Sequence, residues 1–137
     1  MTDFPITVFH NPACGTSRNA LAMIEAAGYA PTVVEYLKAG WSRPQLANLL
    51  SAMGASAHDV LRAKGTPAEA MGLTDPTVSE EVLLAAMVAE PVLVNRPIVV
   101  TPKGTRLCRP SEEVLELLEQ RPHSFTKEDG EVVGSKP

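Results

Sequence analysis

The apolar residues of this chain fall into short runs separated by turn-forming residues. Ile6-Thr7-Val8-Phe9 predicts a strand that stops at Asn11-Pro12. The segment from Cys14 to Gly28 predicts a helix with Gly28 as its C-cap, because it carries an apolar residue at every third position: Leu21, Ile24 and Ala27. Pro31 to Leu37 then predicts a second strand. Strand, helix and strand in this order predict a βαβ unit with a right-handed crossover.

The middle of the chain is predicted to be helical. Ser42-Arg43-Pro44-Gln45 is a capping box for a helix that ends near Met53. Ala57 to Lys64 predicts a short helix, and Thr77 begins the cap of another that extends to about Glu90.

Two β segments and a helix complete the pattern. Val92 to Val100 predicts a strand, and Thr105 to Arg109 predicts its antiparallel partner after a turn. Ser111-Glu112-Glu113 predicts the start of a last helix that ends near Gln120. We expect the polar tail, about 121–137, to pack loosely.

This order predicts an α/β thioredoxin-like fold with a helical insertion between the βαβ unit and the C-terminal ββα unit. The insertion, about 42–90, is too long for a loop and too short for a clearly separate domain. We therefore predict a single domain over 1–137, a length at which a chain can bury a sufficient core without disulfides or metal.

Composition narrows the class of partner. The net charge is −4 and no basic run exceeds two residues, so we expect neither nucleic acid nor an anionic membrane as a partner. Two cysteines are few for a disulfide-stapled secreted domain. Because Met1 to Phe9 also lacks the features of a signal peptide, we expect a cytoplasmic protein.

Cys14 is the first candidate for chemistry. It lies where a strand turns into a helix, and the unpaired N–H groups and the dipole of a helix start favour a thiolate and can bind an oxyanion. The alternative is a buried structural cysteine, which is the commoner fate of a single cysteine. Asn, Pro and Gly around Cys14, in place of core residues, favour the reactive thiol.

The active-site segment holds no second thiol. Ser17 stands where a dithiol oxidoreductase would carry its second cysteine. Cys108 lies on a predicted strand among apolar and basic residues, which favours a packed core cysteine over a resolving one. An oxidised Cys14 would then need an external thiol.

Three arginines lie against apolar neighbours: Arg62, Arg96 and Arg109. Guanidinium groups bind tetrahedral oxyanions through paired hydrogen bonds. Each arginine alone is better explained by a salt bridge to one of the 16 acidic residues. Together with Cys14 they indicate an anion site.

His10 precedes Cys14 by four residues and could influence the thiolate if the turn folds back. A partly exposed histidine at a strand end is an equal alternative. The cysteines and histidines lack metal-ligand spacing, so we expect no metal.

Two stretches of the chain resemble the glutaredoxin-coupled arsenate reductases of bacteria. The first is His10-Asn11-Pro12-Ala13-Cys14-Gly15-Thr16-Ser17-Arg18-Asn19. The second is Asn95-Arg96-Pro97-Ile98-Val99-Val100-Thr101-Pro102, which continues as Gly104 to Glu112. Shorter similarities lie at Val60-Leu61-Arg62 and at Phe125 to Gly130, so the resemblance covers nearly the whole chain.

The resemblance implies a thioredoxin-like fold and reduction of arsenate to arsenite. It places the catalytic cysteine at Cys14, the neighbouring histidine at His10, and the oxyanion-binding arginines at Arg62, Arg96 and Arg109. Glutathione would be the co-substrate and glutaredoxin the partner, with no tightly bound cofactor. The fold also implies a cis peptide bond before Pro97.

Two alternative functions remain open at this point. One is a thioredoxin-like transcriptional regulator similar to the Spx family, which would not need three anion-binding arginines. The other is a generic glutathione-dependent thiol reductase that acts on arsenate only incidentally.

Overall fold

The computed structural model describes residues 4–122 and 124–134. Two compact units are present: residues up to Glu35 together with those from Arg96 onward form the first, and Tyr36–Asn95 form the second. Within the described ranges, every helix falls short of the length and apolar character that a membrane span requires.

The first unit is built on a four-stranded sheet. Its strands are β1 (Thr7–His10), β2 (Thr32–Glu35), β3 (Ile98–Thr101) and β4 (Gly104–Leu107), in the spatial order β2-β1-β3-β4. The β1–β2 pair is parallel, whereas β1–β3 and β3–β4 are antiparallel. This mixed α/β sheet has the βαβ and ββ units that the sequence predicts.

Helix α1 (Gly15–Ala26) connects the two parallel strands. Its fully buried Ala20, Met23 and Ile24 pack into a core with Val8 and Val99 of the sheet. The helix ends where Gly28 adopts φ +100° and donates its N–H to the Glu25 carbonyl, while Tyr29 donates to Ile24. These two bonds form a Schellman motif, in which the left-handed residue is usually glycine.

The segment after β4 is a 3-10 helix, Ser111–Leu117, and not the α-helix to Gln120 that the sequence predicts. Ser111, Val114 and Leu117 are buried. In a 3-10 helix, residues three apart stack on one face, so this tighter helix brings all three to the same side.

The predicted loosely packed tail is also corrected. Its described residues contain a hairpin of β5 (Ser124–Thr126) and β6 (Val132–Gly134). Phe125 and Val133 pack against the core of the first unit, so the apolar residues of this polar stretch give it a fixed place.

The second unit is mainly helical, with α2 (Tyr36–Ala39), α3 (Arg43–Met53), α4 (Ala57–Val60) and α5 (Glu80–Ala89). The predicted capping box at Ser42 and Gln45 is present, with both reciprocal hydrogen bonds. Ser79 caps α5, two residues after the predicted start at Thr77.

Three predicted boundaries in this unit are wrong. Tyr36 begins a helical turn instead of continuing β2. The helix predicted to Lys64 ends at Val60, because Leu61 forms a bridge with Val94 and the Arg62 N–H donates to Leu93 O at 2.7 Å. Pro91–Leu93 is a 3-10 helix in place of the start of a strand, since proline at a first helical turn lacks only an N–H that would be unpaired anyway.

Candidate active site

Cys14 is the N-cap residue of α1 and has extended backbone (φ −104°, ψ 122°). The loop before it is fixed by two bonds: Cys14 N–H donates to Asn11 O at 3.0 Å, and Ala13 N–H donates to Asn11 Oδ1 at 2.9 Å. Pro12 breaks the strand, and Asn11 supplies the acceptor that a tight turn needs. The sequence therefore places a thiol at a helix N-terminus, where N–H groups have no helical partner.

The surroundings of Cys14 favour its thiolate. Cys14 is only 7 % exposed, and burial by itself raises the pKa of its thiol. The backbone N–H of Ser17, the charge of Arg96, a hydrogen bond from Arg109 and the N–H of Thr16 oppose burial and bring the pKa below its ordinary value. Helix-start donors and guanidinium groups thus outweigh desolvation.

Arg109 contacts the sulfur of Cys14 directly. Its Nη1 lies 3.7 Å from Cys14 Sγ and also donates to the carbonyl of Arg96 at 2.9 Å. This second bond links the chain segments that carry the two arginines. An exposed guanidinium beside a thiol at a helix N-terminus forms a site suited to a small oxyanion.

His10 meets Cys14 through Ser17. His10 Nδ1 lies 2.7 Å from Ser17 Oγ, and Ser17 Oγ also accepts the N–H of Asn11 at 3.1 Å. Burial, followed in smaller part by the charge of Arg18, lowers the pKa of His10 against the opposing effects of Glu35 and Glu25. A neutral imidazole can accept a hydrogen bond from the Ser17 hydroxyl. The backbone N–H of Ser17, which has no partner within the helix, donates to the Cys14 sulfur.

Comparison with known proteins agrees with this arrangement. The ArsC family model matches residues 9–117, which include Cys14, Arg96 and Arg109. The chain belongs to the ArsC family. Its relatives include the arsenate reductase of Rhizobium meliloti, 56 % identical over 93 % of this chain and 92 % of that protein. Arsenate reductase ArsI1 of Synechocystis is 54 % identical over 97 % of this chain and 93 % of its own length.

A solved structure supports the ArsC-family fold. The arsenate reductase from Vibrio cholerae superposes with a TM-score of 0.80 and 36 % identity, over 85 % of this chain and all of that one. The predicted thioredoxin-like fold is confirmed. The predicted cis peptide bond at Arg96–Pro97 is confirmed too, and Arg109–Pro110 is a second cis bond that the sequence analysis does not predict.

The structure brings four of the five predicted site residues of this ArsC-family chain into one unit: Cys14, His10, Arg96 and Arg109. Arg62 belongs to the second unit, where its Nε donates to the Lys64 carbonyl at 3.1 Å. Its role as an oxyanion ligand stays a prediction. In residues 4–122 and 124–134, no three histidine, cysteine or acidic side chains are grouped as metal ligands.

Two side chains that shape the site, Ser17 and Arg18, are not predicted from the sequence. Ser17, interpreted only as a missing second cysteine, bridges His10 to the turn before Cys14. Arg18, one residue later, donates to Pro12 O at 2.8 Å and forms an ion pair with Glu128. The partners of Ser17 lie six and seven residues away and Glu128 lies 110 away, so no local sequence pattern signals them.

Proposed function

We propose that this chain is an arsenate reductase that uses the Cys14 thiolate as its nucleophile. The observation that carries the proposal is a buried thiol at a helix N-terminus with a guanidinium nitrogen 3.7 Å from its sulfur. Membership of the ArsC family, and relatives named arsenate reductase at more than half identity, support arsenate as the oxyanion.

The first step is attack of Cys14 Sγ on the arsenic of bound arsenate. An arsenic–oxygen bond breaks, and the oxygen leaves as water after protonation. Arg96 and Arg109 offset the negative charge that builds on the remaining oxygens, as preorganised donors do at other oxyanion sites. We keep Arg62 as a third ligand on the family resemblance alone.

Two external thiols complete the reduction. A glutathione thiol replaces a second oxygen on arsenic, and a glutaredoxin thiol then attacks the glutathione sulfur. The arsenic–sulfur bond to glutathione breaks as the glutathione–glutaredoxin disulfide forms. The two thiols are thereby oxidised, and the electron pair of the broken bond stays on arsenic and converts As(V) to As(III). Hydrolysis of the remaining sulfur–arsenic bond releases arsenite and regenerates Cys14.

The burial and raised pKa of Cys108 support an external source of electrons. Cys108 is fully buried in the core of the first unit, and burial, with a smaller contribution from Glu113, raises its pKa to about 12. A thiol held protonated is a poor nucleophile for disulfide exchange. The proposal therefore includes glutathione as co-substrate and glutaredoxin as partner. It also includes no tightly bound cofactor, since the electrons come from glutathione, and the reducing cytoplasm as the compartment.

Steady-state arsenite production with two donor systems tests this function. Glutathione with glutaredoxin should support many turnovers, while thioredoxin with its reductase at matched reducing capacity should support few. Full activity with thioredoxin, together with a Cys14–Cys108 disulfide found by mass spectrometry, would overturn the external-thiol mechanism.

The same assay distinguishes the alternatives. A transcriptional regulator would produce no arsenite with either donor. A generic glutathione-dependent thiol reductase would reduce low-molecular-weight disulfides much faster than arsenate, so a disulfide substrate belongs in the same experiment.

A further inference from the structure

The turn of the C-terminal hairpin is fastened to the first turn of α1, next to Cys14. Both carboxylate oxygens of Glu128 accept from the Arg18 guanidinium at 2.8 Å, and Glu128 N–H donates to Asn19 Oδ1 at 3.1 Å. A Cβ added to Gly15 would lie 3.5 Å from Glu128 Oε1. The carboxylate therefore lies over the residue that follows the nucleophile.

Arg18 also connects the hairpin to the loop before Cys14. Its Nη1 donates to the Pro12 carbonyl at 2.8 Å, while its backbone N–H donates to the Cys14 carbonyl at 2.9 Å. The guanidinium is planar and rigid, so two bonds to Glu128 fix the direction of the third bond to Pro12. Pro12 and Arg18 thereby lie on either side of Cys14 with a set spacing.

The hairpin has a second attachment near Arg109. Lys127, adjacent to Glu128, bonds Glu112 and Glu131, each at 3.0 Å, and its side chain is only 10 % exposed. Glu112 follows Arg109 by three residues in the chain. One turn of the hairpin thus contacts both segments that carry the proposed nucleophile and the proposed oxyanion ligand.

Stability alone does not account for the Glu128–Arg18 pair. The two side chains are 49 % and 44 % exposed, and ion pairs that exposed contribute about 0–1 kcal/mol to folding. We propose that Glu128 is a positioning residue, which acts through Arg18 to hold the Pro12–Cys14 loop so that the helix-start N–H groups face the sulfur. The inference rests on the proposed function only for its effect on arsenate turnover.

Charge and position predict opposite results when Glu128 becomes neutral. If Glu128 acted only by its negative charge, Glu128→Gln would stabilise the nearby thiolate and lower the pKa of Cys14. If it positions the loop, Glu128→Gln weakens the N–H bonds to the sulfur and raises that pKa. Arg18→Gln should raise the pKa in either case, because it removes a positive charge as well as the pair.

The experiment measures the pH dependence of Cys14 alkylation by iodoacetamide, with the Cys14 peptide quantified by mass spectrometry. The variants are Glu128→Gln, Arg18→Gln and the double variant. Glu116→Gln is the matched control, since Glu116 forms an ion pair of similar exposure with Arg121 at 2.9 Å. Thermal unfolding of each variant shows whether the fold is kept.

We expect Glu128→Gln to move the alkylation profile to higher pH, with up to about tenfold slower alkylation near neutral pH for a shift of one pKa unit. The double variant should resemble Arg18→Gln, because residues that act through one pair are not additive. Glu116→Gln should leave the profile unchanged.

An unchanged or lowered Cys14 pKa in Glu128→Gln would overturn the proposal. It would also be overturned if the two single variants shifted the Cys14 pKa in opposite directions and these shifts cancelled in the double variant. Loss of thermal stability in Glu128→Gln with an unchanged alkylation profile would likewise reduce Glu128 to a structural role. Since alkylation needs no arsenate, these outcomes are independent of whether the chain reduces arsenate. In the reductase assay, the loss of kcat/KM in Glu128→Gln should recover as the pH is raised.

Discussion

Cys14 and Cys108 are both buried, at 7 % and 0 % exposure, yet the pKa values of their thiols are shifted in opposite directions. The pKa of Cys14 is lowered, whereas that of Cys108 is raised to about 12. Burial opposes the thiolate at both positions. The difference therefore lies in what each sulfur meets inside the protein.

The Cys14 sulfur accepts hydrogen bonds from N–H groups, whereas burial dominates at the Cys108 sulfur. At Cys14 the N–H groups of Ser17 and Thr16 and the guanidinium groups of Arg96 and Arg109 offset desolvation. Cys108 lies in the apolar core, and its Sγ donates weakly to the Arg106 carbonyl at 3.8 Å. A helix start can thus make a buried thiol reactive, while a core position makes a thiol inert.

The strongest test of this contrast removes each thiol in turn. Cys14→Ser should abolish arsenate reduction, because a serine hydroxyl is not ionised at neutral pH. Cys108→Ser should keep most activity, and Cys108→Ala provides a second variant if a buried hydroxyl destabilises the core. The measurement is arsenite production under identical thiol supply, with circular dichroism to confirm the fold. An inactive but folded Cys108→Ala would show that the two roles are misassigned.

A second test compares how fast the two thiols are alkylated as the pH changes. A thiol of pKa about 12 is ionised to roughly one part in 10⁵ at pH 7, so Cys108 should be almost unreactive in the folded protein. A lowered pKa means that the Cys14 thiolate persists to lower pH, so the alkylation profile of Cys14 should lie at lower pH than that of an ordinary thiol. In denaturant both cysteines should react alike, near the ordinary thiol pKa of about 8.5. Similar rates in the folded state would remove the contrast.

Part of the contrast could be predicted from the sequence, because the turn and the helix start at Cys14 are local. The contacts of Arg96 and Arg109 with Cys14 join distant parts of the chain. Asn11, Pro12 and Gly15 surround Cys14 with residues of a strand-to-helix turn, while Cys108 lies among apolar and basic residues of a predicted strand. Helix α1 and the capped α3 could also be predicted, because they follow from local apolar spacing and a local cap.

The parts that the sequence did not predict depend on distant contacts. At Ser111–Leu117 the same residues could also form an α-helix. The 3-10 helix is favoured because it buries Ser111, Val114 and Leu117 on one face. The β5–β6 hairpin is held by its contact with the core and by the Arg18–Glu128 pair. Ser17 and Arg18 stand beside Cys14 in sequence, but their roles become visible only with their partners.

A third test removes the guanidinium groups. Arg96→Ala and Arg109→Ala should each weaken transition-state stabilisation by about 2–4 kcal/mol, the range for loss of one preorganised donor. The resemblance predicts the same for Arg62→Ala. If the contrast between the thiols is right, Arg96→Ala and Arg109→Ala should also raise the pKa of Cys14 and leave that of Cys108 unchanged.

Arg43 and Arg121, which pair with Glu81 and Glu116, are the controls and should be nearly neutral as alanine variants. Arg18 is unsuitable as a control, because it donates to the Pro12 carbonyl in the loop before Cys14. Wild-type kcat/KM in all three site variants would contradict the anion site.

The smallest effect is expected from Ser17, which supports the Cys14 turn without supplying a charge. Ser17→Ala removes the hydroxyl that accepts from Asn11 N–H and contacts His10 Nδ1, and it leaves both groups unpaired in a buried setting. We expect a loss of about 1–3 kcal/mol in the free energy of unfolding. The Ser17 backbone N–H remains, so the pKa of Cys14 should rise only slightly. Denaturant unfolding and Cys14 alkylation measure the two quantities, and Thr16→Ala, which removes a neighbouring hydroxyl outside this network, is the control. A large rise in the Cys14 pKa without loss of stability would mean that the hydroxyl, and not the backbone N–H, distinguishes Cys14 from Cys108.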